Sequence, residues 1–343
     1  MVSAHCEKAA GVVYSFIRRV VNMKKKTWLA GAAGTAGVLA ILAGGASFFY
    51  ETAVPRKSRI SMPGGKKEET EFQKSTRLRT EAGLEWLKER GTEKLYITSH
   101  DGLRLKATFL PAQEYTEKTV LAVHGYRNYG EREFAAMASF VHGLGYNLLM
   151  VDDRGHGESG GEFVCYGGLD HYDCKKWIEY LVLRFGERAE IFLYGISMGA
   201  ATVMITAGDE LPEQVKGVIA DCGYTTVMEQ FQHVLKSVYH MPSFPLLPLT
   251  RWMTKWRAGY DFHDCEPREA LKRAILPFLF IHGDKDDFVP TWMGYENYDA
   301  CASEEKDLLL IEGAGHAESY FLRTEEYEAA VREFLEEWSG ERE

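Results

Sequence analysis

Between residues 119 and 311 the sequence keeps returning to one pattern, a short apolar run of four to seven residues followed by a longer stretch. The runs are Thr119 to His124, Asn147 to Val151, Glu190 to Tyr194, Val215 to Ala220, Ile275 to Ile281 and Leu308 to Ile311. Helical segments fall between them near Glu131 to Leu144, near Leu169 to Phe185 and from Met198, and another near Ser319 to Trp338 closes the chain. Runs this short with few polar residues fit strands buried on both faces, and their alternation with helices predicts a mostly parallel sheet covered on both sides. Right-handed crossovers then gather the C-terminal strand ends along one edge, where loops that carry chemistry collect. Ahead of the runs, Glu93 to Thr98 and Leu103 to Leu110 alternate and are joined through His100-Asp101-Gly102, which predicts an antiparallel hairpin at the start of the sheet.

Charge and cysteine usage narrow the partners. The 343 residues carry 50 acidic and 40 basic side chains, a formal net charge of −10, so no global basic field exists to collect a nucleic acid. Six cysteines (Cys6, Cys165, Cys174, Cys222, Cys265, Cys301) are scattered without C-x-x-C spacing, which argues against a zinc ribbon or a thioredoxin-like pair and favours free thiols.

One of the runs ends in chemistry. Gly195-Ile196-Ser197-Met198-Gly199 stands between the strand ending at Tyr194 and an apolar helical run from Ala200 to Thr206, so Ser197 occupies a sharp strand-to-helix turn with its hydroxyl at a helix N-terminus. The pattern alone is not specific, because Gly157-Glu158-Ser159-Gly160-Gly161 matches it as well. Ser159, however, follows the polar run Asp152 to His156 instead of a strand, and reads as part of a glycine-rich loop. A serine hydroxyl needs a base to take its proton and an acid to orient that base. His316 is the one histidine that follows the candidate acids, and it lies just past the last strand in Glu312-Gly313-Ala314-Gly315-His316. The acid comes from Gly283-Asp284-Lys285-Asp286-Asp287, where Asp286 is preferred and Asp284 and Asp287 read as capping or solvated.

With these motifs in the order serine, acid, histidine, the chain from about residue 90 to 340 resembles an α/β-hydrolase-fold serine hydrolase of the esterase, lipase and peptidase kind. The resemblance implies that fold, with a small cap insertion. It also gives meaning to Val123-His124-Gly125-Tyr126 after the third strand: the oxyanion hole would be formed by the backbone N–H groups of Tyr126 and Met198. Within Val151 to Ser159, Arg154 and His156 read as structural partners of the loops, and Asp221 as a loop organiser. Neither His124 with His156 and Asp153, nor the group Asp261, His263, Asp264 and Cys265, has spacing that demands a metal, so no metal or organic cofactor is expected.

The remaining segments set the expected organisation. Residues 1–26 form a basic N-terminal segment, and Thr27 to Tyr50 are 24 residues without a charge, flanked by Lys24-Lys25-Lys26 and Glu51. At about 1.5 Å per residue that run would reach about 36 Å, enough for a single-pass transmembrane anchor. Cleavage as a secretory signal after Ala43-Gly44-Gly45-Ala46 is the alternative, which would make the protein secreted. More Lys and Arg immediately before the span than after it would place the main domain outside the cytoplasm. Residues 51–90 read as a tether and an edge helix, and 91–343 as the hydrolase domain, interrupted at about 223–267 by a cap. The cap's aromatics are read either as a lid favouring apolar substituents or as packing of the cap itself.

The sequence therefore points to hydrolysis of a small-molecule or lipid-like acyl ester, with Ser197 as nucleophile, His316 as base and Asp286 as its support. A peptidase or amidase, an acyltransferase on the same triad, and a non-catalytic membrane-tethered binding module are the alternatives.

Overall fold

The computed structural model describes residues 31–58 and 68–340, with side chains from residue 40 onward. Its eight strands are β1 (Glu93–Thr98), β2 (Arg104–Leu110), β3 (Lys118–Val123), β4 (Asn147–Asp152), β5 (Glu190–Ile196), β6 (Val215–Asp221), β7 (Phe278–Gly283) and β8 (Lys306–Ile311). The helices are α1 (Gly31–Ala53), α2 (Glu71–Lys88), α3 (Gly130–Gly143), α4 (Asp170–Phe185), α5 (Met198–Ala207), α6 (Val227–Ser237), α7 (Leu246–Arg257), α8 (Pro267–Leu271), α9 (Thr291–Ala300), α10 (Ser319–Leu322) and α11 (Thr324–Glu337). The described chain divides into two compact units, one of residues 69–227 and 263–340, the other of 228–262 with the described residues up to 68.

In the larger unit the strands form one sheet in the order β1-β2-β4-β3-β5-β6-β7-β8. The hairpin β1–β2 joins the sheet through an antiparallel β2–β4 pair, and every later pair is parallel. Strand β5 shows why its run is apolar throughout. Its side chains alternate between two cores, Phe192, Tyr194 and Ile196 entering one with Phe134, Val141 and Phe334, and Ile191 and Leu193 entering the other with Trp177, Leu181 and Val203. A strand buried on both faces has no polar face to show, which is why β5 lacks the two-residue alternation of the edge hairpin.

Two boundaries differ from the sequence reading. Strand β7 begins at Phe278 instead of Ile275: Ile275 is 82% exposed, and Pro277, which has no N–H, contributes only its carbonyl, accepting Val218 N–H at 2.9 Å. The closing helix is two helices, interrupted at Arg323, whose φ of −131° and ψ of 57° are not helical.

The membrane anchor expected over residues 27–50 finds no support in the smaller unit. Among the described residues no helix is long and apolar enough to cross a membrane. Helix α1 runs past Tyr50 to Ala53, and Ala46, Phe49 and Tyr50 are at most 2% exposed. Phe49 meets Phe231 edge-on at 5.2 Å and Tyr239 at 5.8 Å, the hydroxyl of Thr250 donates to Ala46 O at 3.3 Å, and Glu51 pairs with Arg257 at 3.0 Å. Phe49 and Ala46, which the sequence assigned to the span, are thus covered by α6, α7 and the residues after α6. Residues 27–30, the basic segment 1–26 and tether residues 59–67 lie outside the described residues. On the outer side of α7, Trp252 and Trp256 stack on each other and are 64% and 71% exposed, so neither packs the unit's interior. Of the cysteines, Cys165, Cys174, Cys222, Cys265 and Cys301 are free and buried, and Cys6 lies outside the described residues.

Packing of α5 on the sheet makes a direct prediction. A Cβ at Gly199 would stand 2.0 Å from Val123 O, a backbone atom that cannot yield, whereas one at Gly143, the last residue of α3, meets nothing within 4 Å. Thermal unfolding should show Gly199→Ala destabilised by several kcal/mol, on the order of 3, and Gly143→Ala unchanged or stabilised by up to about 1 kcal/mol. Equal effects of the two substitutions would contradict this account of the packing.

Candidate active site

The chain turns at Ser197 from β5 directly into α5. Ser197 has φ 56° and ψ −111°, a conformation L residues rarely adopt, and its N–H donates to Asp221 O at 2.8 Å. Its neighbours must be small: a Cβ at Gly195 would lie 2.2 Å from Gly199 O. The backbone is therefore held in a strained bend by strand β6 on one side and by the start of α5 on the other.

Ser197 Oγ lies 2.9 Å from His316 Nε2, and His316 Nδ1 lies 2.7 Å from Asp286 Oδ2. His316 comes from the loop after β8 and Asp286 from the loop after β7, so three C-terminal strand ends supply the three side chains. The other oxygen of Asp286, Oδ1, accepts the N–H groups of Phe288 at 3.0 Å and Val289 at 2.8 Å. Burial works to raise the Asp286 pKa. The hydrogen bonds and charges of His282 and His316 outweigh it and bring the value to about 2. An ionised Asp286 accepts the hydrogen bond of the Nδ1–H, which leaves Nε2 with its lone pair toward the serine hydroxyl.

Met198, the first residue of α5, has one of the N–H groups that a helix cannot satisfy internally. The loop carrying Tyr126 lies against the serine, since a Cβ at Gly125 would stand 3.5 Å from Ser197 Cβ. The Tyr126 ring stacks on Tyr166 with centroids 5.6 Å apart. A cleft of about 490 Å³ within the larger unit reaches His316, and its lining includes Phe72 and Leu84 of α2 together with Asn128, Glu133 and Glu318.

The alternatives weighed in the sequence are placed elsewhere. The Ser159 hydroxyl is buried, donating to Asp152 O at 2.6 Å and accepting Lys106 N–H at 2.8 Å. Asp284 Oδ1 accepts Gly313 N–H at 2.6 Å, and Asp287 is exposed. Arg154 binds Asp173 through two bonds of 2.7 Å and Asp101 at 2.9 Å, tying the loop after β4 to α4 and to the β1–β2 turn. His124 Nε2 accepts Asp153 N–H at 3.0 Å, so its Nδ1 carries the proton and donates to Gly125 O at 2.7 Å; burial holds its pKa down to about 4. Asp261 pairs with Arg251 and Lys255, His263 with Glu266, and Cys265 Sγ with Cys165 O.

Among the described residues, two groups bring His, Cys or carboxylate donors within 4.8 Å of one another, Cys222 with Asp286 and His316, and His100 with Asp101 and Asp173. In the first the histidine and carboxylate are already bonded to each other, and in the second both carboxylates hold Arg154.

Three residues around the site escaped the sequence reading. His282, fully buried, lies 3.5 Å from Asp286 Oδ2 and is set by its bond to Val289 O at 2.9 Å. Glu133 and Glu318 each accept a backbone N–H from a loop of the site. His282 could have been suspected from its place in the same segment as Asp286. Glu133 carried no signal beyond being an acidic residue in a helix's first turn.

Comparison with known proteins follows the same lines. A family model described as serine aminopeptidase S33 matches residues 114–243. The Bacillus subtilis protein YqkD, described as uncharacterised, is 33% identical over 221 residues, covering 64% of this chain and 72% of that protein. The rat lysophosphatidylserine lipase ABHD12 is 24% identical over 213 residues, covering 58% of this chain, which spans half of that enzyme. The Pyrococcus furiosus esterase Pf2001 superposes with a TM-score of 0.59 at 22% identity, over 74% of this chain and 94% of its own. At that identity the superposition shows a shared fold, the α/β-hydrolase fold.

The Asp286 carboxylate has a measurable acid signature. Its folded pKa of about 2 lies below an unfolded value near 3.9, so its contribution to stability is present above about pH 4 and is lost as pH falls toward 2. Denaturant titrations should show the stability gap between wild type and Asp286→Asn shrinking over that window; a gap that is constant from pH 6 to about pH 2 would count against an ionised, doubly bonded carboxylate.

Proposed function

The chain belongs to the α/β-hydrolase family, and on that premise we propose that it is a serine hydrolase acting on acyl esters, with Ser197, His316 and Asp286 as its triad. The observation that carries the proposal is the continuous path from Ser197 Oγ to His316 Nε2 at 2.9 Å and from His316 Nδ1 to Asp286 at 2.7 Å, starting at a strained strand-to-helix turn. Ser197 Oγ attacks the substrate carbonyl while His316 Nε2 takes its proton, and Asp286 supports the resulting imidazolium. The carbonyl oxygen becomes an oxyanion that meets the N–H groups of Tyr126 and Met198, aided by the positive end of α5. Collapse breaks the bond to the leaving alcohol, whose oxygen receives the proton from Nε2. Water, deprotonated by the same nitrogen, then releases the acid and restores the serine.

An ester is preferred to an amide because the named relatives and fold neighbours include a lipase and an esterase. Phe72, Leu84 and Phe321 offer a lipid-like acyl group apolar contacts in the cleft beside His316. The family description, which names an aminopeptidase, favours amide cleavage as the second reading.

A fluorophosphonate probe should label the wild type and leave Ser197→Ala unlabelled. Acyl esters of graded chain length should be turned over faster than aryl amides; the reverse order would install the peptidase reading, and an unlabelled wild type the binding module. Asp286→Asn should lower kcat by roughly 10⁴-fold with the fold intact, while Asp284→Asn and Asp287→Asn stay within about twofold of wild type. A crippling Asp287→Asn would mean the acid has been misassigned.

A further inference from the structure

Two loops of the candidate site are built to the same plan. Gly125-Tyr126-Arg127-Asn128 and Gly315-His316-Ala317-Glu318 are four-residue turns, each closed by a bond from the fourth N–H to the first carbonyl at 3.3 Å. In each the third residue is in the left-handed region, Arg127 at φ 58° and Ala317 at φ 55°, a position in such turns that ordinarily selects glycine. In each the second residue is one assigned to chemistry, Tyr126 through its N–H and His316 through its ring. And in each the N–H of the leading glycine is taken by a glutamate, Gly125 by Glu133 Oε2 at 2.9 Å and Gly315 by Glu318 Oε2 at 3.0 Å.

In both turns the carboxylate comes close to the leading glycine. A Cβ at Gly125 would stand 3.2 Å from Glu133 Oε2, and one at Gly315 would stand 2.8 Å from Glu318 Oε2. Glu133 also hydrogen-bonds the side chain of Asn128, so one carboxyl ties the first and last residues of its turn. The Gly125 carbonyl is drawn both to Asn128 N–H and to His124 Nδ1. In a trans peptide the N–H points opposite the C=O, so fixing the Gly125 carbonyl also fixes the direction of the Tyr126 N–H. The left-handed third residue leaves each turn strained, and the glutamate contact at its head fixes the peptide from which the turn starts.

We propose that Glu133 and Glu318 are positioning residues, which hold the Tyr126 peptide and the His316 imidazole in their working attitudes through the N–H groups of Gly125 and Gly315. The inference rests on the reading of Ser197 as the nucleophile. The role asked of each glutamate is that of an acceptor. Burial raises the Glu133 pKa, against the pull of the Gly125 N–H and the Asn128 side chain, and either protonation state keeps an oxygen for the glycine. A glutamine supplies the same kind of oxygen, and an alanine supplies none.

The test compares Glu133→Ala, Glu133→Gln, Glu318→Ala and Glu318→Gln in the full chain, by steady-state hydrolysis of p-nitrophenyl butyrate and by thermal unfolding. For Glu133→Ala, kcat should fall about 100-fold, the lower end of what losing an oxyanion donor costs, with KM within about twofold of wild type. Glu318→Ala should lower kcat at least about 10-fold with a similarly unchanged KM, and each Gln variant should recover to within about fivefold of wild type. Alanine variants that keep wild-type kcat would overturn the proposal. So would Gln variants that fall as far as the alanines, or losses of kcat that track the loss of folded protein. Fluorophosphonate labelling of Ser197→Ala run alongside separates the two readings. Retained labelling there sinks the serine reading and this proposal with it, whereas abolished labelling leaves the glutamate variants to decide the positioning role alone.

Discussion

The geometry of the site depends on one strained residue. Ser197 is held at φ 56° because its N–H is bonded to Asp221 O on the neighbouring strand while the helix behind it begins without a spacer. A residue in such a conformation costs about 1–3 kcal/mol, which the two-sided core around β5 has to offset. Gly195 and Gly199 let the backbones meet at that bend, at distances no side chain could occupy. Moving the serine off this bend would take its hydroxyl away from His316 Nε2, and with it the pairing on which the chemistry turns.

Around that bend, polar groups are satisfied mostly by backbone. Asp286 divides its two oxygens between His316 and two peptide N–H groups, which fixes its rotation, while His282 and His316 keep it ionised. His124 spends its two nitrogens on Asp153 N–H and Gly125 O, so it is locked as a neutral ring inside the fold. Ser159 uses its hydroxyl twice on backbone as well. Loops that would otherwise be mobile at a sheet edge are thereby fastened to the strands beneath them, and pre-set geometry of this kind is what oxyanion stabilisation requires.

The fold was legible in the sequence because the inner parallel strands are covered on both faces and so appear as largely apolar runs, β5 most clearly. The two G-x-S-x-G matches could be told apart for the same reason: one follows such a run and the other follows Asp152 to His156. Less legible was what depends on tertiary context. Ile275 looks like strand until Pro277 is seen to withhold an N–H, and the closing helix reads as one because nothing in Leu322-Arg323-Thr324 marks a break. The uncharged stretch before Glu51 has the length of a membrane span, and hydropathy cannot distinguish apolar residues that face lipid from ones that face Phe231 and Tyr239. Glu133 and Glu318 were invisible for a related reason, since a glutamate that takes a glycine N–H eight or three residues away has the same local sequence as a solvated one.

The central claim is that Ser197 carries the acyl group between the two halves of the reaction. Acid-quenching the enzyme within its first turnover of a slowly hydrolysed acyl ester, followed by peptide mass spectrometry, tests it directly. The account predicts a mass increase equal to the acyl group on the peptide bearing Ser197, absent in Ser197→Ala. Turnover accompanied by an adduct on another residue, such as Ser159, or by turnover that persists in Ser197→Ala, would contradict it.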